Sequence, residues 1–425
     1  MNLEKRYKFD IWTIVMSAYL INQFYFAAAV SVQRILLLGG LFLYCFKHFP
    51  YIKRWLNDYR KHNAFTVAIC IFVFWILIVI GTPFISGTGD YSYVSYSITF
   101  VSWFLYLFAI SIRLRKKHPA EDTCELFMRI FILCMCLYVV STIVILILPS
   151  LRQIILSTVD QSYNNLMLLE REKYYTRIGW AGFTGYSTSL KCTVAICFQL
   201  FFICKNIRNG KKISFGNIVA FLLLMLGNVF YARTGMLISI VCVLVAVFSI
   251  AVILNKFQTF AKYAVLALIL GFIGVYAINS YSGENVVMNW MFEMFLNDSG
   301  SRYGSISASI IFNQMLFKIN PSTLIHGDGY YTSPSGGYYM ATDLGFMRLL
   351  LYFGIPGTAI IYTLYFYILR KIRIIGTNKA YIVLALLLFI TFLGFEFKGE
   401  SIVILVPLAF ILLLIIDSNH SSEEG

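Results

Sequence analysis

The chain has 425 residues, 59% of them hydrophobic and 13% charged, with a mean hydropathy of +0.76. This excludes an ordinary soluble domain and predicts an all-α, polytopic membrane bundle, because about 20 apolar residues span the hydrocarbon core as a helix. The formal charge of +14 does not indicate nucleic-acid binding. The basic residues fall in short clusters between apolar runs, as cytoplasmic loops do.

The basic residues before Ile11, the apolar run after it and the small residues Ala27–Ala29 resemble a signal peptide. We read this start as an uncleaved first span. Apolar runs predict about 12 spans in one membrane domain covering 1–425. They lie near 11–28, 31–47, 64–82, 93–112, 123–148, 188–204, 214–232, 235–254, 263–280, 345–368, 380–396 and 401–416. Several are under 20 residues, which predicts short, re-entrant or broken helices. Gln33 and Arg34 interrupt the first pair.

Twenty-two Lys and Arg residues fall on the side that holds the N-terminus. Seven fall opposite: Arg152, Arg171, Lys173, Arg177, Arg302, Lys318 and Lys398. That asymmetry predicts cytoplasmic termini, with two loops outside, 149–187 and 281–344. The nine cysteines lie in or beside apolar runs, without CxxC or Cys/His ligand spacing. Neither disulfides nor zinc are expected. Loop 83–92 carries only Asp90 as an acid, so a magnesium site has no support there. The absence of a Walker A pattern argues against ATP hydrolysis.

In chain order, the first candidate is Arg177, followed by Gly179, Gly182 and Gly185. Glycines let backbone approach a ligand and a guanidinium offers phosphate a fork. A tight turn with a snorkelling arginine reads as well. Arg233 sits between two apolar spans. A charge there costs roughly 3 kcal/mol unless it lines a polar cavity, pairs or snorkels to the interface. The longest polar stretch runs from Gly283 to Arg348, with helical pieces expected at Val286–Leu296 and Ser305–Lys318. It holds Arg302, which has Asp298 as a possible partner, and the acid/base candidates His326, Asp328 and Asp343. Its Gly/Tyr/Ser composition, including Tyr330 and Tyr338, suits sugar binding or an interfacial loop. Asp343 also fits an N-cap of the next helix. Glu396, Lys398 and Glu400 stand in a short turn and read as a local ion pair, with Glu396 and Arg348 as further site candidates.

Together these residues resemble the O-antigen polymerase (Wzy) family, related to the O-antigen ligases. The resemblance rests on Arg177 followed by Gly-x-x-Gly-Phe, on Arg233-Thr-Gly, on the passage from His326-Gly-Asp-Gly to Asp343-Leu-Gly, and on Gly354-Ile-Pro-Gly. It covers about residues 150–360. It implies a glycosyltransferase of the bacterial inner membrane, acting at the periplasmic face in lipopolysaccharide biosynthesis. A growing glycan would pass from undecaprenyl diphosphate onto a lipid-linked repeat unit. Arg177, Arg233 and Arg302 would hold the diphosphate without metal or cofactor, and Asp343, then His326, then Asp328 would serve as base. Related ligases place a histidine near Asp343, so this chain departs from them there. The implied partners are the undecaprenyl-diphosphate-linked oligosaccharide, the bilayer and a Wzz chain-length regulator. An O-antigen ligase and a lipid-linked oligosaccharide flippase are the competing readings.

Overall fold

The computed structural model describes residues 9–160, 172–262, 265, 276, 309–334, 336–376 and 378–416. Arg302, the helical piece expected at Val286–Leu296 and nearly all of the span expected at 263–280 lie outside them.

The described helices are α1 (Ile11–Ile21), α2 (Val30–Lys47), α3 (Pro50–Trp55), α4 (Tyr59–Ile85), α5 (Ser92–Lys117), α6 (Thr123–Ile147), α7 (Pro149–Thr158), α8 (Tyr186–Arg208), α9 (Phe215–Tyr231), α10 (Arg233–Val252), α11 (Pro321–His326), α12 (Gly345–Ile375), α13 (Ala380–Glu396) and α14 (Ile402–Ile415). Seven helices among the described residues are long and apolar enough to cross a membrane. Four shorter apolar helices, α1, α9, α13 and α14, accompany them. The chain is thus a helical membrane bundle.

Polar caps mark where the helices begin at one end. Asp10, Asp58, Asp122 and Ser214 accept hydrogen bonds from the first turns of α1, α4, α6 and α9, satisfying donors that would otherwise be orphaned. At the opposite end α8, α10 and α12 start from Gly185, Ala232 and Leu344, none of which caps with a side chain. Their N–H groups and positive dipole ends therefore face that end without side-chain caps.

The span expected at 11–28 is broken. Helix α1 stops at Ile21, and the backbone runs on without helix to Phe26. Such backbone survives in an apolar setting only where it is hydrogen-bonded. Lys191 Nζ donates to the Ile21 carbonyl at 2.6 Å, Trp180 to Asn22 at 3.1 Å, and Gln33 Nε2 to Phe24 at 3.2 Å. Gln33, which interrupts the apolar pattern, is one of the side chains that make the break tolerable.

The best-buried elements are α8, α13 and α14. Helix α8 packs on α6, α9, α10 and α13, while α14 packs on α5 and α12. A buried polar network runs through this core. Asn228 donates to Thr193 at 2.9 Å and Ser239 at 2.7 Å, and accepts from Ser189 at 2.9 Å. This network pins α8, α9 and α10 beneath Gly235, where any Cβ would press on Ser189 and lie 2.8 Å from Asn228 Oδ1. An Asn228→Leu variant should lose about 1–3 kcal/mol, since it leaves the buried Ser189 hydroxyl without its acceptor and takes a donor from Thr193 and Ser239. Thermal unfolding of the purified protein against wild type measures this.

The span expected at 345–368 is helix α12, but it is interrupted at Gly354 (φ 67°, ψ −172°), two residues before Pro356. The loop after α11 docks into this break. Asp328 N–H donates to the Leu351 carbonyl at 2.6 Å. A Cβ on Gly354 would lie 2.8 Å from Gly327 N, and one on Gly327 would collide with the Tyr352 carbonyl. In the helical piece expected at Ser305–Lys318, residues 309–310 are α-helical and continue into a π turn, Ile311–Met315, that ends at Leu316, with residues 305–308 outside the described set.

Candidate functional site

The uncapped ends of α8, α10 and α12 gather the polar residues. Arg177 closes a 3-10 turn (Glu172–Arg177) and leads into a two-strand hairpin, β1 (Ile178–Gly179) and β2 (Gly182–Phe183). The hairpin folds back so that Thr184 N–H donates to the Arg177 carbonyl at 2.9 Å. The glycines that follow Arg177 serve packing: a Cβ on Gly179 would collide with the Tyr138 ring, and one on Gly185 would lie 3.3 Å from Arg177 Nη1. Arg177 therefore lies against the start of α8, its Cζ 4.9 Å from the Tyr174 ring centroid.

Arg233 is the first residue of α10. Burial draws the Arg177 guanidinium down to about 10; Tyr174 opposes this, and the charge of Arg233 adds to it. The structure thus brings Arg177 and Arg233 near enough to repel one another, at two helix N-termini.

The turn between α13 and α14 does not form the local ion pair expected of it. Lys398 reaches out to Asp343 Oδ2 at 2.9 Å, while Glu396 and Glu400 turn inward and are buried. Glu396 Oε1 accepts from Ser401 N and Oγ, both at 2.7 Å, and its Oε2 accepts from Tyr362 at 3.2 Å. Glu400 accepts from Tyr93 through Oε1 and from Tyr331 at 2.8 Å through Oε2. Burial raises the Glu400 pKa, opposed by the Arg348 charge and the two tyrosine hydroxyls. Tyr186, opening α8, donates to the Phe395 carbonyl at 3.0 Å, which ties the Arg177 hairpin to this turn.

The acid/base candidates separate by their hydrogen bonds. Asp343 is not the N-cap of α12: Leu344 occupies that position and makes no side-chain cap. Instead Lys398 holds Asp343 Oδ2, and Oδ1 is buried without a hydrogen-bond partner. Asp328 has both oxygens engaged, by Thr323 at 2.6 Å and Tyr339 at 3.2 Å. His326 is exposed, its Nδ1 2.6 Å from the Gly327 carbonyl. Tyr330 stacks on Tyr339 with ring centroids 5.3 Å apart. Tyr338 is 48% exposed and lies against Arg348.

Asp90 organises the loop before α5. Its Oδ2 accepts from Tyr331 N at 2.6 Å and Thr332 N at 2.9 Å, which sets Tyr331 over Glu400. Burial acts to raise its pKa, but hydrogen bonds from Ser92, Thr332 and Tyr331 outweigh it and leave Asp90 below the usual carboxylate value. A depressed folded-state pKa adds stability that is present above the unfolded pKa and lost as pH falls through the folded one. Asp90→Asn should therefore be less stable than wild type at neutral pH. It should also lose less on acidification from roughly pH 7 to pH 3. Melting curves across that range check both.

Sequence reasoning placed Glu400 only in a local ion pair and missed Tyr93 and Tyr331. The signal available was two acids four residues apart at the mouth of an apolar hairpin, where an exposed pair and a buried pair look alike. Among the described residues no group of three or more His, Cys, Asp or Glu side chains is placed to hold a metal ion. No family model, curated protein or solved structure matches this chain.

Proposed function

We propose that the chain is a membrane glycosyltransferase that polymerises lipid-linked glycan repeat units, the uncapped end of the bundle facing the periplasm. The observation that carries this reading is the pairing of Arg177 and Arg233 at the N-termini of α8 and α10. Two permanently charged forks and two positive helix ends in one place favour a ligand with several negative oxygens. A diphosphate meets that description, and it leaves already charged, so fixed cations matter more than protonation.

In this reading the acceptor hydroxyl oxygen attacks the anomeric carbon of the donor glycan. The bond from that carbon to the diphosphate oxygen breaks, and the lipid diphosphate departs against the arginines. The hydroxyl proton passes to Asp343, whose Oδ1 makes no hydrogen bond while Lys398 fixes Oδ2. Such general-base assistance is worth roughly 10²–10⁴-fold. An apolar groove of about 460 Å³ between α4 and α12, lined by Cys70, Phe74 and Ile360 among others, offers a lipid chain a place beside the bundle.

A chromosomal deletion tests the proposal through the lipopolysaccharide profile on a gel. Loss of a polymerase leaves core carrying one repeat unit, and complementation restores the ladder. Bare core would indicate a ligase acting on lipid A-core, and accumulation of lipid-linked units on the cytoplasmic side would indicate a transporter.

A further inference from the structure

Arg348, in the first turn of α12, is buried, with 5% of the residue exposed. The rings of Tyr331 and Tyr338 lie against it, their centroids 3.8 and 3.9 Å from Cζ, and Tyr96 stands 5.7 Å away. Its Nε and Nη2 are buried and have no hydrogen-bond partner. Those two nitrogens form the side edge of the guanidinium. Their N–H bonds run parallel at the spacing of two oxygens of a carboxylate or phosphate.

A buried charge with two idle donors is costly unless something fills the edge. Glu400 does not fill it. Glu400 accepts from two tyrosine hydroxyls and acts on Arg348 through its charge, but neither Nε nor Nη2 has it as a hydrogen-bond partner. Tyr338, which packs on Arg348, also feels the charges of Asp343 and Glu400, so all of these groups share one neighbourhood.

We propose that the side edge of Arg348 is an oxyanion-binding site that takes a carboxylate or phosphate group of a ligand, with Tyr331 and Tyr338 holding the guanidinium plane. The ligand is held edge-on through two oxygens. This goes beyond the polymerase reading and does not require it. The oxyanion comes either from a lipid diphosphate or from an acidic sugar.

The test is calorimetry on the full-length protein in lipid nanodiscs, titrated separately with inorganic diphosphate, farnesyl diphosphate and a glucuronate disaccharide. At least one probe should bind saturably, and Arg348→Lys, which keeps the charge but loses the fork, should weaken it by roughly tenfold. Farnesyl diphosphate binding more tightly than inorganic diphosphate identifies a lipid headgroup; binding of glucuronate identifies an acidic sugar. Tyr338→Leu leaves Arg348 in place, removes one ring and should weaken the same probe several-fold, so it decides the matter if Arg348→Lys does not fold. The proposal is overturned if no probe saturates the wild-type protein, or if the folded variants bind with unchanged affinity. Because polymer formation is not the readout, failure here leaves the lipopolysaccharide result standing on its own.

Discussion

Arg177→Ala and Arg233→Ala should each abolish long polymer while the protein remains in the membrane at wild-type abundance. Each variant removes one of two forks that share an anionic ligand, and electrostatic groups of this kind are worth about 10²–10³-fold in turnover. Arg→Lys at either position should fall between wild type and alanine, because an ammonium keeps the charge but cannot bind two oxygens in a plane. Lipopolysaccharide ladders, read beside immunoblots of the membrane fraction, measure both effects. The two alanine substitutions should not add: once one fork is gone, the remaining one no longer holds the diphosphate in a productive pose. If both single variants made normal ladders, the diphosphate assignment would be wrong.

The second large effect concerns the break in α12. Gly327 and Gly354 both have positive φ, at 74° and 67°, with ψ near 180°, a region populated essentially by glycine alone. Each also faces backbone at contact distance: a Cβ on Gly354 would lie 2.8 Å from Gly327 N and 2.9 Å from His326 N. Backbone cannot rotate away as a side chain can. Gly327→Ala and Gly354→Ala should each cost roughly 3 kcal/mol or more, from strain and collision together. Thermal unfolding in detergent should show the loss, whereas Gly336→Ala offers a contrast. Gly336 also has positive φ, 87°, but a Cβ there meets nothing within 4 Å, so only the strain of about 1 kcal/mol applies. A similar cost at Gly336 and at Gly354 would mean that the docking of the α11 loop contributes little.

Much of the bundle was legible because apolar runs are local signals. Helices α4, α6 and α10 follow directly from the apolar runs at 64–82, 123–148 and 235–254. The breaks were not legible. Within the run from Ile11 to Ala28 only Asn22-Gln23 hints that α1 ends at Ile21, and the compensating donors, Lys191 and Trp180, come from far along the chain. In the sequence Gly354-Ile-Pro-Gly serves only as part of a family resemblance, and that α12 breaks there to receive the loop around Gly327 depends on tertiary packing. Arg177 and Arg233 stood out as charges at the edges of apolar spans, and the fold brings them together. The inward turn of Glu396 and Glu400 escaped notice because their partners, Tyr93, Tyr331, Tyr362 and Ser401, come from four segments of the chain. Lys398 drew attention as their natural partner and is instead spoken for by Asp343.

The most direct measurement reconstitutes the purified protein in proteoliposomes with a defined undecaprenyl-diphosphate-linked repeat unit and follows glycan length on a gel. The account predicts a ladder of polymer with release of undecaprenyl diphosphate, absent when Arg177→Ala replaces the wild type. Repeat units that stay single with wild-type protein, or a ladder undiminished in the variant, would contradict it.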